Sequence, residues 1–216
     1  MPDLDFRVDS AAVVPFATAP MLGFRVGVTN AQAGEAIVSV ALRCQIQIEV
    51  TRRRYSEPEQ KRLLDLFGEP ERWGRTLRNM LWTNGGATVS SFTGSTSVEV
   101  QVPCTFDFNV AATKYFHGVE NGEIPLCFLF SGTVFYDDGG GVAQVAPISW
   151  SKEARFRLPV ETWRDMMQTY YPNSVWLCLR RDIFERLYEY KVRNGLPTWE
   201  DALDRIVPVC EETVKS

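Results

Sequence analysis

Alternation of apolar and polar residues marks the first half of the chain. Every even position from Ala36 to Val50 is apolar, and the odd positions from Ser39 onward are mostly polar. The same parity returns over residues 97–110, where the apolar positions are Val98, Val100, Val102, Cys104, Phe106, Phe108 and Val110. Because successive side chains of a strand point to opposite faces, each segment predicts a long strand with one buried face, as in an antiparallel sheet.

Two further strands are predicted downstream. Residues 124–136 (IPLCFLFSGTVFY) are apolar on both faces, which favours a central strand, and residues 148–160 (ISWSKEARFRLPV) alternate and suit an edge. The DDGGG sequence at 137–141 is a strong turn signal, so these two segments form a predicted hairpin. The segments LDFRV and PMLGFRVGVT near the N-terminus add one or two strands.

A helical insertion interrupts the predicted sheet at about residues 56–82. Ser56 and Glu59 have the spacing of a capping box, and Gly68 is placed to end the first helix. A second helix is predicted over residues 69–82, with one face formed by Trp73, Leu77, Met80 and Leu81.

The last third of the chain is predicted to be helical. Helices are expected within residues 160–171, 180–195 and 198–212, with Thr198 and Asp201 as an N-terminal cap and Pro208 kinking or ending the last one. The fold class is therefore α+β, with a long-stranded antiparallel sheet. Residues 1–160 form the sheet domain with its insertion, and residues 161–216 form a helical segment packed on the sheet, in one domain overall.

Composition, net charge and cysteine spacing limit the partners and the compartment that we expect for this protein. The chain has 216 residues, 45% of them hydrophobic, and a net charge of −4, which argues against nucleic acid or an anionic membrane as a partner. Neither a signal peptide nor a stretch of ~20 apolar residues is recognisable, so no membrane insertion is expected. The five cysteines are scattered without a C-x-x-C pair, which suits reduced thiols in a cytoplasmic protein.

The stretch TNGGATVSSFTGSTS, residues 83–97, is predicted to be a long polar loop. Its glycines suggest a phosphate cradle, but a P-loop follows a strand, precedes a helix and places a lysine after its last glycine. Here the predicted order is helix before and strand after, and no lysine follows Gly94. A structural loop and a partner-contact loop both remain open.

No catalytic residue, cofactor site or metal site is predicted. His117 is the only histidine, no G-x-S-x-G motif accompanies it, and Cys127 sits within a hydrophobic strand. Clustered histidine or cysteine ligands for zinc or nickel are lacking.

Basic residues concentrate around the insertion. Between residues 52 and 78 there are eight basic and five acidic residues. Arginines at 72, 75 and 78 are three apart and would form one helical stripe. The candidate patch for contact with an acidic protein or another anion comprises Arg52, Arg53, Arg54, Arg72, Arg75 and Arg78. A solvated helix face explains the same pattern, and that alternative stays open.

Three blocks of the chain resemble an uncharacterised bacterial domain family. They are RRRYSEPEQKRLLDLFGEPERWGRTLRNMLW, the run FTGSTSVEVQVPCTFDFNVAATKYFHGVENGEIPLCFLFSGTVFY, and YYPNSVWLCLRRDIFERLYEYKVRNGLPTWEDAL. Members of that family tend to be encoded beside genes for uptake NiFe hydrogenases, so the resemblance implies an accessory role for that enzyme. A fainter similarity of pattern joins the long strands and helices to the SecB-type export chaperone.

Three functions are consistent with these features. The leading hypothesis is a non-catalytic cytoplasmic accessory protein that binds another protein, such as a hydrogenase subunit or maturation factor, with a homo-oligomer left open. The second is a SecB-like holdase. The third is an enzyme or small-ligand-binding protein that uses the 83–97 loop.

Overall fold

The computed structural model describes residues 2–32, 34–137, 139 and 142–214, with side chains as far as Val207. These residues form two compact units, residues 1–174 and residues 175–216. The first unit is built on antiparallel sheets with helices around them, and the second is helical. The fold class is therefore α+β, as predicted. Within the described part of the chain, no helix has both the length and the apolar character needed to cross a membrane.

Two antiparallel sheets form the first unit. One has the order β1-β2-β6, where β1 is Leu4–Val13, β2 is Met21–Asn30 and β6 is Ser95–Pro103. The other has the order β4-β3-β7-β8, where β3 is Ala36–Ile48, β4 is Met80–Val89, β7 is Glu123–Asp137 and β8 is Ala143–Pro147. Two more strands extend this second sheet: β5 (Phe92–Thr93) pairs with β3, and β9 (Glu153–Pro159) pairs with β7.

The helices of the first unit are mostly short. After a 3-10 turn at Val50–Arg52 come α1 (Glu57–Arg62), α2 (Leu64–Phe67), a second 3-10 turn at Pro70–Arg72 and α3 (Trp73–Thr76). Later in the chain lie α4 (Val110–Gly118) and α5 (Val160–Tyr170). The predicted cap of α1 is confirmed, because Ser56 and Glu59 form a complete capping box, and Gly68 ends α2 with a φ of 71°.

The core lies between the inner faces of the sheets. Phe24 of β2 makes edge-on contacts with Trp82, Phe128 and Phe156, at ring-centroid distances of 5.9, 5.2 and 6.0 Å. These three partners come from β4, β7 and β9, so a single buried ring connects one sheet to the other. Aromatic contacts of this kind add to the free energy gained by burying apolar surface.

The predicted parity of β3 is confirmed over most of its length. Its even positions from Val40 to Ile48 are buried. Val38 breaks the rule at 49% exposure, whereas Ile37 is 1% exposed. The pairing of β3 with β7 shifts between Ile37 and Ser39, and such a bulge moves the side chains before it to the opposite faces.

The strand predicted over residues 97–110 is too long. β6 ends at Pro103, which has no backbone N–H to donate to the ladder. Val110 begins α4, and the Asn109 side chain caps that helix by accepting a hydrogen bond from the backbone N–H of Ala112 at 3.0 Å. The apolar alternation at Phe106 and Phe108 therefore lies outside the strand.

The second helix of the insertion and the loop after it were both predicted wrongly. Trp73 is buried on the short α3, as the helix prediction required, but Met80 and Leu81 already belong to β4. Residues 83–89 continue that strand, so the expected 83–97 loop is instead the path β4–β5–β6.

Gly85 and Gly86 explain why the NGG sequence suits a strand at this place. A Cβ on Gly85 would lie 3.0 Å from Cγ1 of Val100, and a Cβ on Gly86 would lie 2.8 Å from the carbonyl oxygen of Leu42. These glycines therefore permit close approach to β6 and β3, a role that a local turn signal does not distinguish.

The hairpin that begins with β7 has a different second strand from the one predicted. β7 is central, as predicted, but its partner after the turn is β8, which pairs with residues 133–137. β9, within the segment expected to complete the hairpin, pairs with residues 123–129 of β7. Residues 138, 140 and 141 of the predicted DDGGG turn lie outside the described residues.

The second unit contains α6 (Arg181–Arg193) and α7 (Trp199–Val214). The Thr198 cap is confirmed, since its Oγ1 accepts a hydrogen bond from the backbone N–H of Asp201 at 3.1 Å. α7 continues beyond Pro208 and does not end there. Phe184 and Tyr188 of α6 contact Trp199 of α7. The packing of this unit on the sheet stays a prediction.

Candidate protein-docking cleft

The six arginines of the predicted patch separate into two groups. Arg52, Arg53 and Arg54 line a cleft of about 500 Å³, together with Arg157 of β9 and the turn at residues 120–123. The other three, Arg72, Arg75 and Arg78, are not among its lining residues.

The predicted helical stripe is wrong, because α3 ends at Thr76. Arg72 lies in the 3-10 turn and Arg75 in α3, while Arg78 lies beyond the helix and donates to the backbone carbonyls of Arg75 and Leu77. The three residues therefore do not share one helix, although their contact with a partner stays a prediction.

Arg53 forms the floor of the cleft. Its side chain is only 8% exposed, and its Nη2 lies 2.5 Å from Oε1 of Glu59. It also donates to the carbonyl oxygens of Asn121 and Glu123, both at 2.7 Å. These bonds connect the start of α1 to the turn before β7, so Arg53 holds the cleft in shape.

Glu59 is held in its charged form. Burial opposes its ionisation, but the backbone N–H groups of Glu120 and Ser56 and the Arg53 guanidinium all donate to it, and together they hold the pKa of this carboxyl below its usual value. Its charge therefore compensates that of Arg53, and the floor of the cleft is close to neutral.

The remaining arginines present charge at the rim. Arg52 pairs with Glu49 at 3.1 Å, and Arg157 lies 3.7 Å from Oε2 of Glu123. Their side chains are 55% and 67% exposed. Arg54 is exposed and has no ion pair within the part of the chain that the structure describes. Exposed pairs contribute little free energy, so these guanidinium groups can exchange an internal partner for an external carboxylate at small cost.

Two parts of the cleft were not recognised from the sequence. Arg157 is separated from Arg54 by more than a hundred residues, and only the pairing of β9 with β7 brings it to the rim. The turn at Asn121 and Gly122 contains an N-G dipeptide, and this dipeptide is the local signal for the turn. Gly122 has a φ of 77°, which favours glycine at that position.

The other candidate groups of the sequence are dispersed. His117 lies on α4, where its ring contacts Trp163 edge-on at 4.7 Å and burial lowers the pKa of the imidazole. Cys44 and Cys104 are buried, and burial raises the pKa of their thiols to about 11 and about 12. Such thiols stay protonated near neutral pH and are weak nucleophiles.

Across the described ranges, no group of three or more His, Cys, Asp or Glu residues is placed to hold a metal ion. Residues 83–97 do not line the cleft at Arg53. Residues 83–89 are a strand and not part of a loop, and a ligand site on the 83–97 segment stays a prediction.

Comparison with protein-family models assigns the chain to a family. A family model described as "Family of unknown function (DUF6084)" matches residues 1–215. The chain belongs to the DUF6084 family. The description of DUF6084 carries no activity, so membership adds no function to the geometry above. No curated protein matches the sequence.

Several solved structures are distantly similar to this DUF6084 chain. The ApaA protein of Bordetella pertussis is 14% identical, with 73% of this chain and 93% of that chain covered and a TM-score of 0.27. A late embryogenesis abundant (LEA) protein is 15% identical, with 74% and 73% covered and a TM-score of 0.33. β-Glucosidase 3B of Thermotoga neapolitana is 11% identical, with 72% and 17% covered and a TM-score of 0.26. Likenesses this low carry no functional argument.

Proposed function

We propose that this protein is a non-catalytic cytoplasmic accessory protein that acts by binding an acidic segment of another protein. The observation that carries the proposal is the cleft at Arg53, where a rigid floor supports three exposed arginines at positions 52, 54 and 157. Guanidinium groups suit this task, because each presents several donors in the planar geometry that a carboxylate accepts.

The size and charge of the cleft support a short acidic segment as its occupant. Its volume of about 500 Å³ is within the usual range of binding sites, roughly 300–1,000 Å³. The carboxylates of Glu120 and Glu123 are already engaged by Arg62 and Arg157, so an incoming chain meets compensated acidic groups and the accessible charge of Arg54. Complementary charge of this kind accelerates association and excludes basic partners.

The partner is proposed from the family resemblance. Because members of that family tend to be encoded beside uptake hydrogenase genes, we propose a subunit or maturation factor of a NiFe hydrogenase. The test is co-purification of the tagged full chain from its native host, together with hydrogen-uptake measurements after deletion of the gene. Failure to recover a hydrogenase protein above background, with unchanged hydrogen uptake, overturns this choice of partner.

The cleft itself is tested by charge reversal. The double variant Arg54→Glu/Arg157→Glu is expected to weaken binding of the recovered partner by more than tenfold, and wild-type binding is expected to weaken as salt is raised from 50 to 300 mM, since screening shortens the reach of exposed charges by roughly half. The matched control is Arg72→Glu/Arg75→Glu, which changes the same charge outside the cleft. Equal losses in both double variants contradict the assignment of the cleft.

A second candidate is a holdase resembling the SecB-type chaperone. It is supported by exposed apolar residues on the outer face at one end of the second sheet. Phe135 of β7 pairs directly with Val145 of β8, and these side chains are 36% and 62% exposed, with Val38 of β3 at 49%. A light-scattering assay with an unfolded client tests this function. Failure of a stoichiometric amount to suppress aggregation, or equal suppression by Phe135→Ser/Val145→Ser, rejects it.

A further inference from the structure

Arg155 of β9 extends the arginine rim beyond the cleft at Arg53. Its Nε lies 3.5 Å from Oε1 of Glu49, and the Nε of Arg52 lies 3.1 Å from the same oxygen. The Glu49 side chain is only 6% exposed, whereas those of Arg155 and Arg52 are 51% and 55% exposed. Two exposed guanidinium groups therefore converge on one buried carboxylate, and Arg52 is also a lining residue of the cleft.

Arg155 and Arg157 lie on the same face of β9. Phe156 stands between them and contacts the core ring of Phe24 at 6.0 Å. Because successive side chains of a strand point to opposite faces, both arginines point away from the core. Their Cα atoms are separated by two residues of strand, which is about 6.7 Å.

The segment from Arg52 to Arg54 has the same alternation. Arg53 has an extended backbone, with a φ of −114° and a ψ of 145°, and its side chain is 8% exposed. Arg52 and Arg54 on either side of it are exposed. Arg53 therefore points into the floor of the cleft, and its neighbours present two guanidinium groups to solvent from positions two residues apart.

The four exposed arginines form two pairs, each with one member from the 52–54 segment and one from β9. The first pair is Arg52 and Arg155, which share Oε1 of Glu49. The second pair is Arg54 and Arg157, which both line the cleft. On each segment, the two pairs are separated by a spacing of two residues.

The two pairs carry more positive charge than their internal partners neutralise. In the described part of the chain, the four guanidinium groups face the three carboxylates of Glu49, Glu123 and Glu153. A guanidinium has five N–H donors, so Arg52 and Arg155 can keep Glu49 and still bind a second carboxylate. Carboxylates placed among the arginines disfavour a polyphosphate chain, so acidic side chains of a protein suit this surface better.

We propose that this surface recognises two acidic side chains separated by one residue in an extended segment of the partner protein. One carboxylate binds between Arg52 and Arg155, and the other binds between Arg54 and Arg157. In an extended chain, residues two apart face the same side and repeat at the spacing of the arginines on β9. A helix would instead present residues three or four apart. This inference rests on the proposed function and names the sequence pattern that the cleft selects.

Fluorescence anisotropy of the full chain with labelled peptides tests the pattern. Three capped peptides of identical composition carry two glutamates in a serine–glycine chain, with the glutamates adjacent, separated by one residue or separated by three. The peptide with one intervening residue is expected to bind about fivefold more tightly than the other two at low salt. Only this peptide engages both arginine pairs, and a factor of about five corresponds to one exposed ion pair.

Arg155→Gln separates the spacing rule from general attraction to acidic chains, because Arg155 is not a lining residue of the cleft. This variant is expected to bind the peptide with one intervening residue about fivefold more weakly. Its affinity for the other two should fall by no more than about twofold, since they retain the pair at Arg54. The control is Arg25→Gln, at an exposed arginine on β2 of the other sheet, which should change none of the three affinities. Both variants should melt as the wild type does, because both side chains are exposed.

Two kinds of failure are distinguishable. Equal affinities for the three peptides, or an equal loss for all three in Arg155→Gln, overturn the spacing rule and leave an acidic partner in place. If none of the peptides binds, and the recovered partner still binds Arg54→Glu/Arg157→Glu as it binds the wild type, the proposed function of the cleft is overturned as well.

Discussion

Arg53 and Glu59 form a buried ion pair that joins two distant parts of the chain. Their side chains are 8% and 5% exposed, and Glu59 also accepts hydrogen bonds from the backbone N–H groups of Ser56 and Glu120. Arg53 completes the connection through the carbonyls of the turn before β7. One pair thus stabilises the start of α1, the turn and the floor of the candidate cleft together.

Removing the charge of Glu59 is expected to destabilise the fold. Glu59→Gln leaves the Arg53 guanidinium buried without a counter-charge, and breaking a buried pair in this way lowers the free energy of unfolding by about 3 kcal/mol. Urea denaturation measures the change. The control is Glu57→Gln on the same helix, where an exposed carboxylate pairs with Lys61 at 3.0 Å and is expected to contribute less than about 1 kcal/mol.

The contribution of Glu59 to the free energy of unfolding is also expected to depend on pH. Because the folded state lowers the pKa of this carboxyl, its stabilisation is fully present above the unfolded value and is lost as pH falls through the folded value. The difference between wild type and Glu59→Gln should therefore be constant near neutrality and narrow below about pH 4. A difference that widens in acid would show that Glu59 does not act through its charge.

Gly86 is expected to tolerate no side chain. In Gly86→Ala the new Cβ would lie 2.8 Å from the carbonyl oxygen of Leu42, which is a backbone atom and cannot turn away. The free energy of unfolding should fall by about 1–3 kcal/mol, as for other overpacked sites. Gly74→Ala is the matched control, because its Cβ meets open space in α3 and alanine favours helix, so stability should be unchanged or up to about 1 kcal/mol higher.

The hydroxyls of Tyr55 and Tyr115 lie 3.0 Å apart. We expect both to lose their protons at a higher pH than an exposed tyrosine does. Burial raises the pKa of Tyr115 to about 12 and raises that of Tyr55 as well. Both pKa values are raised by folding, so the associated stability is present below about pH 10 and is lost as pH rises above it. A titration followed by ultraviolet absorbance measures how many tyrosine hydroxyls ionise only at high pH.

Tyr115→Phe should remove one of these late phenols and about 1 kcal/mol of stability at neutral pH. Tyr188→Phe, at a residue that is 52% exposed, is the control and should leave the free energy of unfolding unchanged. Titration of every phenol near pH 10 in the folded wild type would contradict the buried pair.

Sequence patterns predicted correctly the features that depend only on residues close together in the sequence. The capping box at Ser56 and Glu59 needs only residues three apart, and the buried face of β3 needs only alternation. The same rules failed for residues 77–89 and 104–110. There, Met80 and Leu81 satisfy a helical spacing by coincidence, and the pairing of β4 with β3 outweighs it.

Only part of the candidate cleft could be predicted from the sequence. Arg52 to Arg54 stand out as a run in the sequence, but nothing local distinguishes Arg53, whose side chain is only 8% exposed, from its two exposed neighbours. Arg157 reads as one polar residue of an alternating strand. Its place at the rim depends on the register of β9 against β7, where it pairs with Pro125.

The sequence by itself determined the α+β class, the buried faces of the long strands and the caps of α1 and α7, because these depend on spacings of two to four residues along the chain. The tertiary structure decided which strands pair, why glycines occupy β4 and which arginine is structural. Those features depend on atoms brought together from distant segments. Their energies come from burial and close approach, which a linear pattern does not contain.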